Sequence, residues 1–356
     1  MKKAKLLGML LCGASLVLGS AVPAMADGTR VVTLGADLDE AQKQTMLKYF
    51  KAPEQVYIIT VTNQDERQHL GSYVPLEQIG NRTVSCAYVN PTSSGGIKVR
   101  TANLNWVTCN MIASTLSTSG VKNCEVVAAC PFEVSGTGAL TGIQMAYETA
   151  SGVKLSETKK NIATQEMVVT GKLADRIGKK PATKVINQAK MEVIGNNVTN
   201  SGDIYNIVVN VVQENNVDVG TAEIETITAL MEEIAGEDYD YEDMQETLER
   251  VDENVSWDTD EDENGTLVSD EPEGELLEEM DNGILDEVDS DILENAVEDS
   301  TEDTSLEVDS GMEGLDEGDG EMSPDDEWDF AINADGEIVD ADVTDDTQVW
   351  EEVSPE

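Results

Sequence analysis

The chain has 356 residues, of which 72 are Asp or Glu against 22 Lys or Arg and a single His, for a formal net charge of -50. That balance argues against nucleic acid as a partner, because phosphate would be repelled. With one histidine the usual histidine-containing zinc spacings are missing, and Ser/His/Asp catalysis would have to run through that single residue, with no nucleophile elbow in the sequence.

Lys2, Lys3 and Lys5 precede an apolar run over 6–22, and Ala24-Met25-Ala26 supplies the small residues that a signal peptidase cuts. Residues 1–26 read as a secretory signal peptide, with a mature chain expected from Asp27. The expected location is therefore extracellular, with cell-wall association as a further option. Cys12 follows Leu11, not Gly or Ala, so a lipid-anchored cysteine is not expected. No later segment reaches the 18 or so apolar residues of a membrane span.

The predicted elements alternate at first. A strand over 31–34 leads to a helix over 38–50, for which Asp37 followed by Glu40 suggests a capping box. A strand over 55–62, a short polar helix over 64–70 and a strand over 84–89, broken by Asn90-Pro91, come next. Ile97, Val99 and Thr101 alternate with Lys98 and Arg100, as on a half-buried strand. Met111, Ile112, Thr115 and Leu116 fall at helical spacing, and 124–132 is almost continuously apolar, as a strand covered on both faces should be. A glycine-rich turn over 136–142 then opens another helix.

From Ser156 the pattern is helical, with stripes at Ile204, Ile207, Val208, Val211 and Val212 and at Ile224, Ile227, Leu230, Met231 and Ile234. Pro181 and Gly195-Asn196-Asn197 are the expected breaks. From Met191 onward Arg250 is the only basic residue, and the last hundred residues are too charged and too poor in apolar periodicity to offset chain entropy. The expected architecture is α+β: a mixed β-sheet with packed helices over 27–155, a helical subdomain over 156–255, and a disordered acidic tail over 256–356.

Several residue groups carry candidate chemistry. Gly136-Thr137-Gly138-Ala139-Leu140-Thr141-Gly142 approaches a dinucleotide-binding turn, but its third glycine comes one residue late and no strand follows. A tight turn is the plainer reading, with a weak anion site at the Gly138 and Ala139 N–H groups beside it. His69 lies in a polar helix, where a lone histidine is an ordinary surface residue. Cys86, Cys109, Cys124 and Cys130 remain after the signal peptide. Cys124 and Cys130 share one strand and lie about 20 Å apart, too far to pair. Either Cys86 and Cys109 each bridge to one of them, or all four are small buried hydrophobes.

Lys172, Arg176, Lys179, Lys180 and Lys184 form a basic patch. Lys172, Arg176 and Lys180 share a helix face until Pro181. It is a solvated face, a seat for the acidic tail, or a site for an anionic wall polymer. In the tail, Asp260, Asp262, Asn264 and Glu271 satisfy the spacing of an EF-hand loop, with Gly265 at the turn. Pro272 follows at once, so loose calcium association by many carboxylates is the plainer expectation. No other cofactor is expected.

The stretches VVTLGADLDEAQKQTML and NLNWVTCNMIASTLSTSGVKNCEVVAACPFEVSGTGALTGI, with the helical segment to Ile234, resemble the YpuA-like secreted proteins of Gram-positive bacteria, a family of unknown function. The resemblance implies an exported protein and brings no catalytic residues. The expectation is a non-enzymatic envelope-associated or interaction protein, whose partner is an anionic wall polymer or another envelope protein. The alternatives are a hydrolase acting on wall material through paired carboxylates and a calcium-responsive binding module.

Overall fold

The computed structural model describes residues 29–70, 81–256, 283–293, 296–302, 330–332 and 338–340. Its frame is a six-stranded mixed sheet in the order β2-β1-β3-β5-β4-β6, built from β1 (Val31–Gly35), β2 (Tyr57–Val61), β3 (Cys86–Pro91), β4 (Ile97–Leu104), β5 (Cys124–Val134) and β6 (Glu298–Ser300). The β1/β2 and β4/β5 pairs are parallel, and the β1/β3, β3/β5 and β4/β6 pairs are antiparallel. A short antiparallel ladder joins β7 (Phe330–Ile332) and β8 (Ile338–Asp340).

Side-chain alternation divides the sheet into two apolar faces. Val32, Leu34, Tyr88, Val127 and Ala129 face α1 (Glu40–Tyr49) and its Met46 and Tyr49. Val31, Val89, Ile97, Val99, Val126 and Ala128 face α3 (Cys109–Thr118) and α4 (Ala139–Ser151). The polar helix α2 (Asn63–Leu70) follows β2. A second apolar cluster fills the space between α5 (Glu157–Ile177), α6 (Lys179–Gly195), α7 (Ser201–Glu214), α8 (Thr221–Gly236) and α9 (Tyr241–Ser256), including both stripes read from the sequence. Fully burying each such Val, Leu or Ile contributes about 1.5–3 kcal/mol.

Three local expectations are corrected. The capping box of α1 uses Asp39 and Gln42: the Asp39 carboxylate accepts from the Gln42 N–H at 2.8 Å, and the Gln42 side chain accepts from the Asp39 N–H. Asp37 is instead spent on the Thr83 N–H, at 2.7 Å. The helix carrying the basic residues breaks at Gly178, whose φ of 91° lies in the left-handed region that favours glycine, and Pro181 falls in the first turn of α6. Lys180 therefore sits on a different helix from Lys172 and Arg176.

The third correction concerns the tail. Part of the stretch expected to be disordered folds back on the sheet: α10 (Ile284–Glu287), a 3-10 turn over Ser290–Ile292, and β6 along the edge of β4. Ile284, Leu285, Val288 and Leu293 of this strap are buried with Tyr49, Phe50, Val127 and Ala129. Four apolar anchors in an otherwise acidic stretch are enough to hold it.

All four described cysteines are free, buried thiols. Cys86 lies on the α1 face, whereas Cys109, Cys124 and Cys130 lie on the other. Cys86 and Cys130 both approach the Val84 carbonyl, at 3.7 and 3.5 Å, as separate thiols. Burial raises each thiol pKa, to about 12 for Cys86 and about 11 for Cys130. Native protein should therefore give no fast reaction of these four with a thiol reagent at pH 8, and all four should react in guanidinium. One or two fast-reacting thiols in the native state would contradict this packing.

Candidate functional site

Among the described residues, three of the places that bring charged or nucleophilic side chains together bear on function. The first is at the buried junction between the sheet and the helical subdomain. Every residue of α3 except Asn110 is buried, including Ser114 and Thr118, which lie one turn apart on the face turned from the sheet. Across from them are Glu166 of α5 and Lys190 of α6, at 1% and 0% exposure. Lys190 Nζ lies 2.8 Å from Glu166 Oε1, 2.7 Å from Ser114 Oγ, 3.0 Å from Thr118 Oγ1 and 3.0 Å from the Ser114 carbonyl. Ser114 Oγ donates to Glu166 Oε1 at 2.7 Å, and Thr118 Oγ1 donates to Glu166 Oε2. Tyr239 donates its hydroxyl to the Thr118 carbonyl at 2.8 Å.

A serine beside a lysine whose pKa is lowered by burial has the parts of a nucleophile and its base. Here the serine proton is committed to Glu166, and the ammonium is held by the same carboxylate. The arrangement is a closed polar core, and its chemistry is structural.

The second place is the edge of the sheet where β1 and β2 end. Glu66, on α2, is 4% exposed, and its carboxyl lies against Gly138 at the start of α4: a Cβ there would come within 2.0 Å of Glu66 Oε1. A side chain at this position would displace the Glu66 carboxyl. The Glu66 carboxyl thus crowds the turn where a weak anion site was expected at the Gly138 and Ala139 N–H groups. The Ala139 N–H is also spent on the Gly136 carbonyl, at 3.0 Å. Burial raises the Glu66 pKa to about 7, the Thr83 and Asn63 side chains offset part of that effect, and the nearby Asp37 and Asp65 charges add to it.

The third place is the edge of β4, where basic residues meet the acidic strap. Arg100 pairs with Glu298, which also accepts from the Tyr49 hydroxyl at 3.2 Å and from Ser290 Oγ at 3.1 Å. Glu302 lies 3.0 Å from Lys98 Nζ and 3.0 Å from Arg250 Nε. Arg30 pairs with Glu287 through two nitrogens, at 2.7 and 3.2 Å. The Asp299 carboxylate accepts from the Cys109 N–H at 3.3 Å, at the first turn of α3.

The residues singled out from the sequence fare differently. Arg176 pairs with the buried Glu223, Lys179 donates to the Asn105 carbonyl, and Lys172 is half-buried with its pKa lowered by that burial. Lys180 is exposed and Lys184 partly so. The five do not form one face, and the strap takes other cations. His69 falls in α2. Asp260, Asp262, Asn264 and Glu271 lie outside the described residues. Among the described residues, no group of three or more His, Cys, Asp or Glu is placed to hold a metal ion, and no helix is long and apolar enough to cross a membrane.

A family model described as a protein of unknown function (DUF1002) matches residues 34–251. The chain belongs to the DUF1002 family. The matched span contains Glu66, Ser114, Glu166 and Lys190, and it contains the β4 edge with Lys98, Arg100 and Arg250. The strap lies beyond it. Another protein similar to this chain is the uncharacterized protein YpuA of Bacillus subtilis (strain 168), 36% identical over 233 residues that make up 65% of this chain and 80% of that relative. No solved structure matches the chain.

Sequence reasoning missed Glu166, Lys190 and Glu66. A signal existed for the first two. Glu166 falls between Ile162 and Val169 on the apolar stripe of α5, and Lys190 between Ile186 and Val193 on that of α6. A charge at a stripe position, opposite a helix rich in Ser and Thr, marks a buried pair. Glu66 had no such mark.

The Glu66 carboxyl sets a pH dependence. The folded group keeps its proton to about pH 7, whereas the unfolded one releases it near 4.5. The native state therefore binds more protons in that window, and stability is lost as pH rises through it. Relative to Glu66→Gln, the wild-type chain should lose up to about 3 kcal/mol between pH 4.5 and 8. Urea denaturation of both proteins at the two pH values measures it. A pH-independent difference would place the carboxyl in contact with solvent.

Proposed function

We propose that this DUF1002 protein is an exported, non-enzymatic binding protein that acts at the cell envelope. The observation that carries the reading is that the groups with chemical potential are closed by the chain itself. Glu66 is buried against Gly138 at the start of α4, and Ser114 and Lys190 are sealed with Glu166. At the cation-lined edge of β4 the sheet holds an acidic segment, here the chain's own. The basic start and small-residue cleavage pattern over 1–26 support export. An anionic wall polymer or another envelope protein is the partner that this charge pattern suits.

The hydrolase reading has one observation in its favour. A groove of about 600 Å³ between α7 and α8 is lined by Glu225, Glu232, Ser201 and the exposed Tyr205. The two carboxylates are seven residues apart on one helix, about 10 Å along its axis. They are open to a polymer in a way that Glu66 is not.

Co-sedimentation of the mature chain with isolated cell walls, with calcium and with chelator, tests both readings if the supernatant is also assayed for soluble wall fragments. The expected result is saturable binding, weakened by salt, without release of fragments. Fragment release abolished by Glu232→Gln in a protein that remains folded would replace binding with hydrolysis. Binding that requires calcium would move the interaction to the acidic tail.

A further inference from the structure

The strap meets β4 as a strand addition with a defined charge code. The Thr301 N–H donates to the Val99 carbonyl at 2.9 Å, the Val99 N–H donates to Thr301 Oγ1 at 2.9 Å, and the Asn103 N–H donates to the Val297 carbonyl at 3.0 Å. Register places Ser300 opposite Arg100 and Glu298 opposite Ala102. Two carboxylates four residues apart are thereby matched to two cationic positions: Arg100 for Glu298, and Lys98 with Arg250 for Glu302. Arg250 is held in place by the carbonyls of Gly95 and Ile97, at 3.0 and 3.3 Å. Asn254 also donates to the Thr301 carbonyl, at 2.9 Å.

The cations of this acceptor, on β4 and α9, lie inside the span that the family model matches, whereas Asn254 and the accepted strand lie beyond that span. Residues 257–282 separate α9 from the strap, so the strap is attached to its seat by a long connection and not by a tight turn. We propose that the edge of β4 is a docking site for an extended acidic peptide, with carboxylates spaced four residues apart and a hydroxyl residue just before the second, and that segment 296–302 occupies it in cis.

Main-chain hydrogen bonds supply affinity that any strand can use, while Arg100, Lys98 and Arg250 select the acidic one. A tethered segment competes at an effective concentration set by the length of its connection, so a peptide in solution gains the edge only when the strap is weakened or outcompeted. The proposal rests on the reading of this chain as a binding protein and names the partner's chemistry at one surface.

The test uses the mature chain carrying Glu298→Lys and Glu302→Lys, which turns the strap's charges against its seat, and a fluorescent synthetic peptide of residues 283–302. Anisotropy should show saturable binding to the variant at least tenfold tighter than to the wild-type chain. That binding should weaken at least tenfold from 50 to 500 mM salt and disappear when Arg100→Glu is added. Equal binding to both chains, or none to a variant whose circular dichroism and melting remain native, overturns the proposal. A variant that elutes as a dimer and resists excess peptide overturns it in favour of a second copy.

Should the variant not fold, hydrogen exchange on the wild-type chain decides. Excess peptide should speed exchange of the 296–302 amides several-fold and leave α3 protected, and unchanged rates overturn the proposal. Wall sedimentation of the wild-type chain separates this failure from failure of the envelope-binding reading, since it does not require the edge to be free.

Discussion

The buried pair of Lys190 and Glu166 is the contact on which the two halves of the molecule depend. Removing two charges from water costs several kcal/mol for each ion, and their attraction offsets this only when their remaining hydrogen-bonding capacity is met. Here it is met by Ser114 and Thr118. Those hydroxyls belong to α3, which packs on the sheet, while the charges belong to α5 and α6. Neither half satisfies the network alone. Apolar packing brings the layers together without fixing their register, and the polar contact fixes it, because a helix shifted by one residue would leave a buried charge without a partner.

The same rule governs the strap. A chain with so large a negative charge repels itself, yet Glu287, Glu298, Asp299 and Glu302 each meet a cation or a backbone donor on the sheet domain. Lys98, Arg100 and Arg250 would otherwise present a positive edge on an acidic protein. The strap thus neutralises that edge, covers the hydrogen-bonding groups of β4 and closes the apolar face around Tyr49 and Phe50. Exposed strand edges invite association with other chains, and this edge is covered. At the opposite end of the sheet β2 carries the exposed Tyr57 and Ile58.

Much of this was legible in the sequence. Alternation at Ile97, Val99 and Thr101, continuous apolarity from Cys124, and the helical stripes around Val208 and Leu230 each placed an element correctly, because each reports a single period of burial. What escaped were features that depend on a partner distant in sequence. Lys190 interrupts an apolar stripe, but its partner Glu166 is 24 residues away on another helix, and Cys86 looks available for bridging until the register sets the face it occupies. Asp37 and Asp39 are equally good caps until Thr83 claims one. The strap was hidden because its few apolar anchors are diluted by acidic residues, whose pairing with Arg100 and Lys98 no local window reveals. The groove between α7 and α8 and the seat of Glu66 likewise exist only after the helices have packed.

The most direct measurement is a double-mutant cycle in urea with Lys190→Met, Glu166→Gln and the double variant, followed by both fluorescence and circular dichroism. Each single change should cost about 3–5 kcal/mol, and the double should cost at least about 2 kcal/mol less than their sum, since each partner is buried at the other's expense. Losses below about 1 kcal/mol for both single variants, or strict additivity, would contradict the claim that this pair joins the sheet to the helices.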